Sequence, residues 1–446
     1  MTNFKIFDTI ILMLFFIENA EEMNSAYEEL STGTSFVHVF YDERIHPTKA
    51  TPCAIFIRHV ESGNTFVLGI THPDAVPIDV GILKFLSQLK CTKYILNKKE
   101  VSHFFDTTGF IDIGFDIYTK TLDMVDVRLP QFKDIRSIPI MSLNKIFNDT
   151  FETIKEFVGE HDAESHKFED DFTNELQLME SNGVYVDRST FNLADPSLID
   201  SNGYVYCQYN MFTPTSRPSN RFAKINFAAL NKKKNERDSF VSRYGRSGAI
   251  VMVDYESYHL RLFGNYVGFE LPTTSLHEYL GKFYHDKETL TEEEYELSKK
   301  ITFNLIFGGI SDDVRDTIPF MSEIVKYVES CWSTYNKDGG VHTWFYNRQL
   351  RKSAYGNLNS YKLFNYLLQS AETERNCRMM KLIHEYFADK KSKLFLYHYD
   401  AFIFDMHKTE FKCVAEIAEM LSEDGKFPLR VYVGANYGEL REISVS

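Results

Sequence analysis

The sequence lacks three features that would assign a protein to a class at once. Its six cysteines among 446 residues have no metal-ligand spacing, which argues against a cysteine-bound metal and indicates reduced thiols in an intracellular protein. Basic residues are not in excess. The net charge of -14 argues against nucleic-acid binding through overall charge but allows a local basic groove. The one conspicuous apolar run, at the start, is too short to span a membrane.

That apolar run, IFDTIILMLFFI, precedes the acidic segment ENAEEM rather than the small residues of a signal-peptide cleavage site. We therefore do not infer secretion from this run, and we treat residues 1–30 as an N-terminal extension of uncertain role, with Met23 as an alternative start. The length allows two or three domains with a sizeable core.

Two apolar strands end in carboxylates. In GAIVMVDYESYHLR, residues 249–253 predict a buried strand, and Asp254 follows at its end. In KLFLYHYDAFIFDM, two short strands flank Asp400, which predicts a hairpin with an acid at its tip. Two carboxylates on neighbouring strand ends can hold a pair of divalent cations, which activate an attacking hydroxyl and stabilise a leaving phosphate oxygen.

A cation and two rings recur every fourth residue between these strands. Lys299, Phe303 and Phe307 share one face of a predicted helix that ends at two glycines. The lysine suits phosphate charge and the rings suit a sugar and a base. This face therefore predicts a site for a nucleoside triphosphate.

The segment from Arg217 to Arg246 is basic although the whole chain is acidic. Its acids Glu236 and Asp238 are outnumbered by basic residues, which favours local contact with nucleic acid. Besides the two end residues, these are Arg221, Lys224, Lys232, Lys233, Lys234, Arg237 and Arg243.

In this order the segments resemble a family A DNA polymerase, the class of bacterial DNA polymerase I. DYESYHLR resembles the first palm motif of the family, KKITFNLIFGG its fingers helix, and YHYDAFIFD its second palm motif. Thr213, Thr215 and Arg217 resemble its T-x-T-x-R pattern, and FNYLLQSAETERNCRMMKLIHEYF resembles its template helix. The resemblance runs from about Glu175 to the C-terminus.

The resemblance implies an α+β fold shaped like a right hand. Residues 201–446 are expected to form an antiparallel palm sheet with helical fingers. Residues 151–200 are expected to form a helical connector and a reduced thumb, because the chain passes within a few residues from ELQLMESNGVYVD to the segment that follows the thumb in the family.

Residues 31–150 alternate strand-like and helical runs, which predicts a small α/β domain. The resemblance places it where the family carries a proofreading exonuclease, whose chemistry begins with an acid-x-acid pair on a strand. No convincing pair occurs, and Asp112, Asp116 and Asp123 are only loosely spaced candidates. We therefore predict an exonuclease-like domain that is degenerate.

The resemblance also implies roles for single residues. Asp254 and Asp400, with the backbone carbonyl of Tyr255, would hold two Mg²⁺ ions, and Lys299 would bind the triphosphate and protonate the pyrophosphate. The nucleotide pocket would be completed by Phe303, Phe307, His259 and Tyr295. The implied DNA contacts are Arg217, Asn226, Asn365, Gln369, Tyr399 and Arg348.

Four positions depart from the pattern of the family. The glutamate that closes the pocket against a ribose 2′-hydroxyl falls at His259, and its tyrosine partner falls at Phe307. Tyr295 stands where the family has an arginine one turn before the lysine. Ala401 stands where the family has an acid after the second catalytic aspartate. Since both catalytic acids remain, we predict a divergent but active enzyme in which the bulk of His259 blocks the 2′ position.

The sequence therefore predicts a template-directed DNA polymerase that uses primer-template DNA, deoxynucleoside triphosphates and magnesium, with no membrane partner. A processivity or other replication protein is expected to supply the grip of the missing thumb. The compact, divergent chain suggests a bacteriophage source and the host cytoplasm. Two alternatives stay open: a palm polymerase that uses ribonucleotides, and a catalytically silent DNA-binding subunit, against which the retained Asp254, Lys299 and Asp400 argue.

Overall fold

The computed structural model describes residues 13–125 and 134–444. Most of the initial apolar run, in residues 1–12, therefore lies outside the described residues. The chain forms two compact units, the first from residues 1–118 and 123–177 and the second from 119–122 and 178–446. The boundary at 177 falls inside a helix and within the predicted connector, 151–200. Of the helices in the described ranges, none has the length and apolar character that a membrane crossing requires.

The first unit is built on a mixed six-stranded sheet in the order β1-β4-β3-β2-β5-β6. Strands β2, β3 and β4 pair antiparallel, whereas β1, β5 and β6 pair parallel to their neighbours. Residues 14–30, assigned from sequence to the extension, supply β1 and the first helix of this unit. The strands are β1 Leu14–Phe16, β2 Thr34–Phe40, β3 Ala54–His59, β4 Thr65–Gly69, β5 Thr92–Ile95 and β6 Phe110–Asp112.

Helices of the first unit bury both faces of this sheet. Successive side chains of a strand point to opposite faces, so Val37 and Val39 of β2 enter one core while Phe36 and Phe40 enter the other. This is the layered α/β arrangement that the alternation of runs predicts. The helices are α1 Ala20–Leu30, α2 Lys84–Gln88, α3 Lys98–Val101, α4 Ile113–Thr121, α5 Ile140–Ile154 and α6 Ala163–Asn182, which continues into the second unit.

The second unit contains a five-stranded sheet in the order β15-β16-β12-β17-β18, and every pairing in it is antiparallel. The apolar run that precedes Asp254 is the central strand, as its buried character predicts. The strands are β12 Gly248–Tyr255, β15 Lys393–His398, β16 Ala401–His407, β17 Leu429–Gly434 and β18 Arg441–Ile443. This sheet matches the predicted antiparallel palm sheet.

Short strands connect α6 to the sheet of the second unit. Residues 183–247 lie wholly within the described part and contain strands and single 3₁₀ turns but no α-helix, at the place where the sequence predicts a reduced thumb. These strands are β7 Val184–Tyr185, β8 Tyr204–Val205, β9 Tyr209–Asn210, β10 Ser219–Phe222 and β11 Ile225–Asn226. Two more, β13 Gly340–His342 and β14 Gln349–Arg351, form a separate hairpin.

Helices make up most of the remaining second unit. The predicted nucleotide-binding helix, α9, begins with a capping box between Thr291 and Glu294 and ends at Gly309, whose φ of 121° suits glycine. The helices are α7 Tyr258–Val267, α8 Leu276–His285, α9 Glu292–Gly308, α10 Asp312–Thr317, α11 Pro319–Asp338, α12 Lys352–Tyr355, α13 Ser360–Tyr386 and α14 Cys413–Ser422.

Helix α13 differs from an ordinary amphipathic helix because a run of its polar residues is buried. Leu363 and Leu367 pack in one apolar cluster and Phe364 and Leu368 in another. Further along the helix, every residue from 370 to 377 is buried, including Glu372, Thr373, Glu374, Arg375 and Asn376. Buried polar groups require partners, so this run must bond to several neighbouring elements.

Candidate active site

The sheet of the second unit brings the two predicted catalytic acids together. Asp254 pairs with Ala401 across β12 and β16, and the Tyr255 backbone nitrogen donates to the Asp400 carbonyl oxygen at 2.9 Å. Asp400 lies at the tip of the β15–β16 hairpin, where Tyr399 has a φ of 55°. The strand ends therefore place both carboxylates at one edge of the sheet.

The acids are held in an environment that disfavours two negative charges. Burial, followed by repulsion from Asp400, raises the pKa of Asp254 to about 7. Desolvation by the surrounding protein, followed by repulsion from Glu372, raises the pKa of Asp400. In the described part of the chain neither acid forms an ion pair with a basic side chain. A divalent cation would relieve this repulsion, and carboxylate oxygens are suitable ligands for Mg²⁺.

Tyr255 can contribute to such a metal site only through its main chain. Its ring is buried and stacks on Tyr258 with the ring centroids 4.1 Å apart. Its hydroxyl accepts a hydrogen bond of 2.8 Å from Arg375 Nη1. The ring is therefore occupied, and the ligand role of the backbone carbonyl stays a prediction.

Helix α9 presents the predicted cation and rings on one face. The rings of Phe303 and Phe307 are stacked 5.8 Å apart and are 49% and 38% exposed, which is unusual for phenylalanine. Lys299 Nζ bonds to Glu296 at 2.6 Å and lies 4.4 Å from the centre of the Tyr295 ring. The face is thus apolar toward its glycine end and cationic one turn earlier.

A cavity of about 360 Å³ is lined chiefly by residues of α7, α9 and α13, together with Asp400 at the hairpin tip. Its lining includes seven of the residues predicted from the sequence, together with Ser257, His277, Thr302 and Glu372. Those seven are Arg217, His259, Phe303, Phe307, Asn365, Gln369 and Asp400. Residues that are more than a hundred positions apart in the sequence therefore meet at one pocket.

Four of the residues predicted to contact DNA form two contacting pairs beside this pocket, Arg217 with Tyr399 and Asn365 with Gln369. The Arg217 guanidinium lies 3.7 Å from the centre of the Tyr399 ring. Gln369 Nε2 donates to Asn365 Oδ1 at 3.0 Å, as expected for amides one turn apart on α13. Thr215 Oγ1 donates to Gln369 Oε1 at 3.1 Å. These contacts join the T-x-T-x-R segment to the helix.

Two other predicted DNA contacts lie apart from the pocket lining. Arg348 is 4% exposed, and it donates to Glu374 Oε1 at 2.7 Å and to Ser216 Oγ at 2.9 Å. It therefore holds a loop in place within the protein. Asn226 is half-buried in β11 opposite Arg221 of β10, inside the basic segment.

Sequence reasoning missed Glu372, which the structure places in the pocket at 1% exposure. The only local signal was its position three residues after Gln369, on the same helix face. His277 was also missed. Its ring lies 6.0 Å from that of Phe303, and burial lowers its pKa to about 4, so it is neutral at pH 7.

The acids of the first unit have a different environment. Asp112, at the end of β6, accepts hydrogen bonds from the backbone nitrogens of Lys98 at 2.8 Å and Phe115 at 3.1 Å. Burial, followed by repulsion from Glu169, raises the pKa of Asp112 to about 7. Lys98 Nζ donates to the Phe110 carbonyl oxygen at 2.7 Å.

The same ammonium group also pairs with two acids of α6, namely Glu169 at 3.3 Å and Asp170. We call Lys98, Asp112, Glu169 and Asp170 the Lys98 cluster. Of the other loosely spaced candidates, Asp116 accepts from the Asp162 backbone nitrogen at 3.2 Å, and Asp123 is exposed. Lys98 thus contacts all three acids of the cluster, two through its ammonium group and Asp112 through its backbone nitrogen.

Comparisons with known proteins identify the fold of the chain. The sequence matches no protein-family model and no curated protein. The structure is similar to that of the polymerase domain of Pol1 from M. smegmatis, which was solved in complex with a DNA primer-template and dNTP. The TM-score is 0.65 at 14% sequence identity, and the match covers 95% of this chain and 99% of the Pol1 chain. The chain therefore has the fold of a DNA polymerase domain.

Proposed function

We propose that this protein is a template-directed DNA polymerase that adds deoxynucleotides to the 3′-hydroxyl of a primer. One observation carries the proposal: Asp254 and Asp400 meet at the edge of an antiparallel sheet, beside a cavity lined by two exposed rings. The fold is shared with a Pol1 domain that binds a DNA primer-template and dNTP. The substrates proposed here are taken from that likeness.

Asp254, Asp400 and the Tyr255 carbonyl would hold two Mg²⁺ ions, which would lower the pKa of the primer hydroxyl and screen the charge of the leaving pyrophosphate. The chain contributes the geometry. Strand pairing fixes the two carboxylates, and the stacked, hydrogen-bonded Tyr255 ring fixes the backbone between them. Rigid strand ends suit a site whose ligands must not move during the reaction.

The nucleotide would lie along α9. Lys299 would bind the phosphates and supply a proton to pyrophosphate, and Phe303 and Phe307 would receive the sugar and base. Tyr295 lies under the Lys299 ammonium, where its ring stabilises the cation without adding charge. His259 would line the sugar side of the pocket.

The DNA would contact the opposite side of the cavity. Arg217, supported by the Tyr399 ring, would meet the primer end, and the linked amides of Asn365 and Gln369 would reach the minor groove. Asn226 would contact the backbone within the basic segment. We give Arg348 the indirect role of holding the loop that carries Ser216.

A reduced thumb would bury less duplex and hasten dissociation of the enzyme from DNA. We therefore infer that a replication partner supplies the missing grip. We infer that the first unit serves as a degenerate, exonuclease-like scaffold, since the Lys98 ammonium offsets part of the charge of its acidic group by pairing with Glu169 and Asp170. Long products from the purified protein under single-encounter conditions would refute the need for a partner.

Extension of a labelled primer-template with Mg²⁺ and deoxynucleotides tests the proposal. The parent should extend the primer, whereas Asp254→Asn and Asp400→Asn should not, and a parallel lane with ribonucleotides reports the preferred sugar. Asp112→Asn is the matched control, because it changes an acid of similar pKa in the other unit. Binding of DNA by the parent without any extension would favour a silent subunit instead.

A further inference from the structure

Glu372 is a buried carboxylate whose two oxygens serve different elements of the pocket. Its Oε1 accepts from Arg217 Nε at 3.1 Å, and its Oε2 accepts from His259 Nε2 at 2.5 Å. The side chain is 1% exposed, so neither bond is replaced readily by water. Charge-assisted bonds in such a site are strong and directional, and together they fix both partners.

The position of His259 relates it to the sugar of a bound nucleotide. The phosphates must lie near the acids and Lys299, and the base must lie near the exposed rings of α9. The sugar joins these two groups and therefore lies between them. His259 follows Asp254 by five residues and lines the same cavity as Phe307, so its imidazole borders this intermediate region.

Arg217 relates the same carboxylate to the primer. Its Nε donates to Glu372, and its guanidinium lies over the Tyr399 ring. Tyr399 directly precedes Asp400 in the chain. In the described part of the protein the Nε atom alone is used by Glu372, which leaves the terminal nitrogens of Arg217 available at the cavity wall. Glu372 thus connects the residue beside the sugar with the residue beside the primer end.

We propose that Glu372 is a positioning residue for nucleotide selection. It holds the imidazole of His259 against the 2′ side of the sugar and the guanidinium of Arg217 against the primer end. The pocket then accepts a deoxynucleoside triphosphate and rejects the ribonucleotide only while the bond to His259 is intact. The inference rests on the proposed function for the identity of the ligand.

The substitution Glu372→Gln removes the carboxylate charge with little change of volume. The glutamine oxygen can still accept from Arg217, but its nitrogen can meet His259 only as a donor to an imidazole whose Nε2 carries no proton, so the charge-assisted bond from His259 is lost. We expect sugar discrimination to fall about tenfold, and His259→Ala should cause a similar fall. The double variant should lose little more than either single variant, because Glu372 acts through His259.

Nucleotide binding without chemistry is the appropriate measurement. The primer ends in a dideoxynucleotide, Ca²⁺ replaces Mg²⁺, and the dissociation constants of the matching deoxy- and ribonucleoside triphosphates are compared. The control is Glu385→Gln, an exposed glutamate on the same helix, which should keep the parent ratio. An unchanged ratio in Glu372→Gln, or independent losses in the double variant, would overturn the proposal.

A second pair of variants covers the case in which Glu372→Gln does not fold. His259→Gln keeps a donor for the carboxylate, whereas His259→Ala does not, so the glutamine variant should retain more of the discrimination. Equal losses would overturn the proposal. A parent that selects the deoxynucleotide but never extends a primer refutes the polymerase function alone. A parent that extends primers without sugar preference refutes only the role of Glu372.

Discussion

The two units each hold an aspartate at a strand end, and the two aspartates have the same pKa for the same reasons. Burial and then a neighbouring carboxylate raise the pKa of both Asp112 and Asp254 to about 7. The difference lies in the surrounding charge. In the first unit Lys98 forms ion pairs with Glu169 and Asp170, whereas Asp254 and Asp400 form no ion pair in the described part of the second.

This comparison teaches that a perturbed carboxyl group does not by itself indicate a metal site. In the Lys98 cluster an internal ammonium ion already offsets part of the carboxylate charge. Arg430 acts on the charge of Asp254, and Arg217 acts on that of Asp400, but neither arginine forms an ion pair with these acids in the described part of the chain. A divalent cation would offset more of this charge. An ion-paired lysine therefore distinguishes the Lys98 cluster from the pair formed by Asp254 and Asp400.

The largest expected effect follows from substituting either predicted catalytic aspartate of the second unit. Asp254→Asn or Asp400→Asn should lower the rate of single-nucleotide extension by at least about 1,000-fold, or about 4 kcal/mol in transition-state energy. Asp112→Asn should leave that rate unchanged. Rapid-quench kinetics with saturating DNA would check this, and comparable losses in all three variants would contradict the division between the units.

The second largest effect concerns the stability of the first unit when Lys98 is removed. Lys98→Ala leaves buried acids without their cation and should destabilise the first unit by about 3–5 kcal/mol. Both tryptophans, Trp332 and Trp344, lie in the second unit, so fluorescence does not report on this change. Hydrogen exchange of the β5 and β6 amides would measure it.

The control for this experiment is Lys84→Ala, which removes an exposed lysine of the same unit. It should leave exchange in β5 and β6 as it is in the parent. Exchange in Lys98→Ala that matches this control would show that the Lys98 cluster does not depend on its ammonium group.

A pH experiment sharpens the comparison. The folded protein holds protons on Asp112 and Asp254 up to about pH 7, whereas the unfolded chain releases them near 3.8. Both groups therefore contribute stability that is fully present below about pH 3.8 and is lost as the pH rises through 7. Millimolar Mg²⁺ should reverse this loss for β12 but not for β6, as measured by hydrogen exchange. Equal reversal in both strands would contradict the comparison.

The smallest effect concerns Lys299, the predicted triphosphate-binding lysine of α9. Lys299 is held by Glu296, an exposed residue, in contrast to the buried partners of Lys98. Glu296→Gln should free Lys299 for the triphosphate and lower the KM for dNTP about twofold, since an exposed pair contributes less than 1 kcal/mol. Steady-state kinetics beside the exposed control Glu293→Gln would check this. A raised KM would show that Glu296 orients the lysine productively.

Local patterns were sufficient to predict the central parts of the second unit. The apolar run before Asp254, the hairpin around Asp400 and the spacing of Lys299, Phe303 and Phe307 each depend on neighbours within a few residues. Their burial and exposure follow from strand and helix periodicity. The mixed α/β character of the first unit was predictable for the same reason.

Long-range pairs were beyond the reach of sequence patterns. Glu372 and His259 are 113 positions apart, and Lys98 and Glu169 are 71 apart. The local sequence around Arg348 suggests a surface cation. In the structure its side chain is buried and pairs with Glu374, which is 26 positions away in the sequence. Such contacts depend on how elements pack, which no local periodicity specifies.

The buried polar run of α13 has a consequence for how this chain can vary. Besides Glu372, Glu374 accepts from the backbone at 345–346, Arg375 donates to Tyr255 and Tyr258, and Asn376 donates to the Tyr399 carbonyl. Each successive residue is rotated by about 100° around the helix. Insertion or deletion of one residue before this run would turn every one of these groups away from its partner at once. We therefore expect a change in the length of this helix to be more damaging than any single substitution in the run.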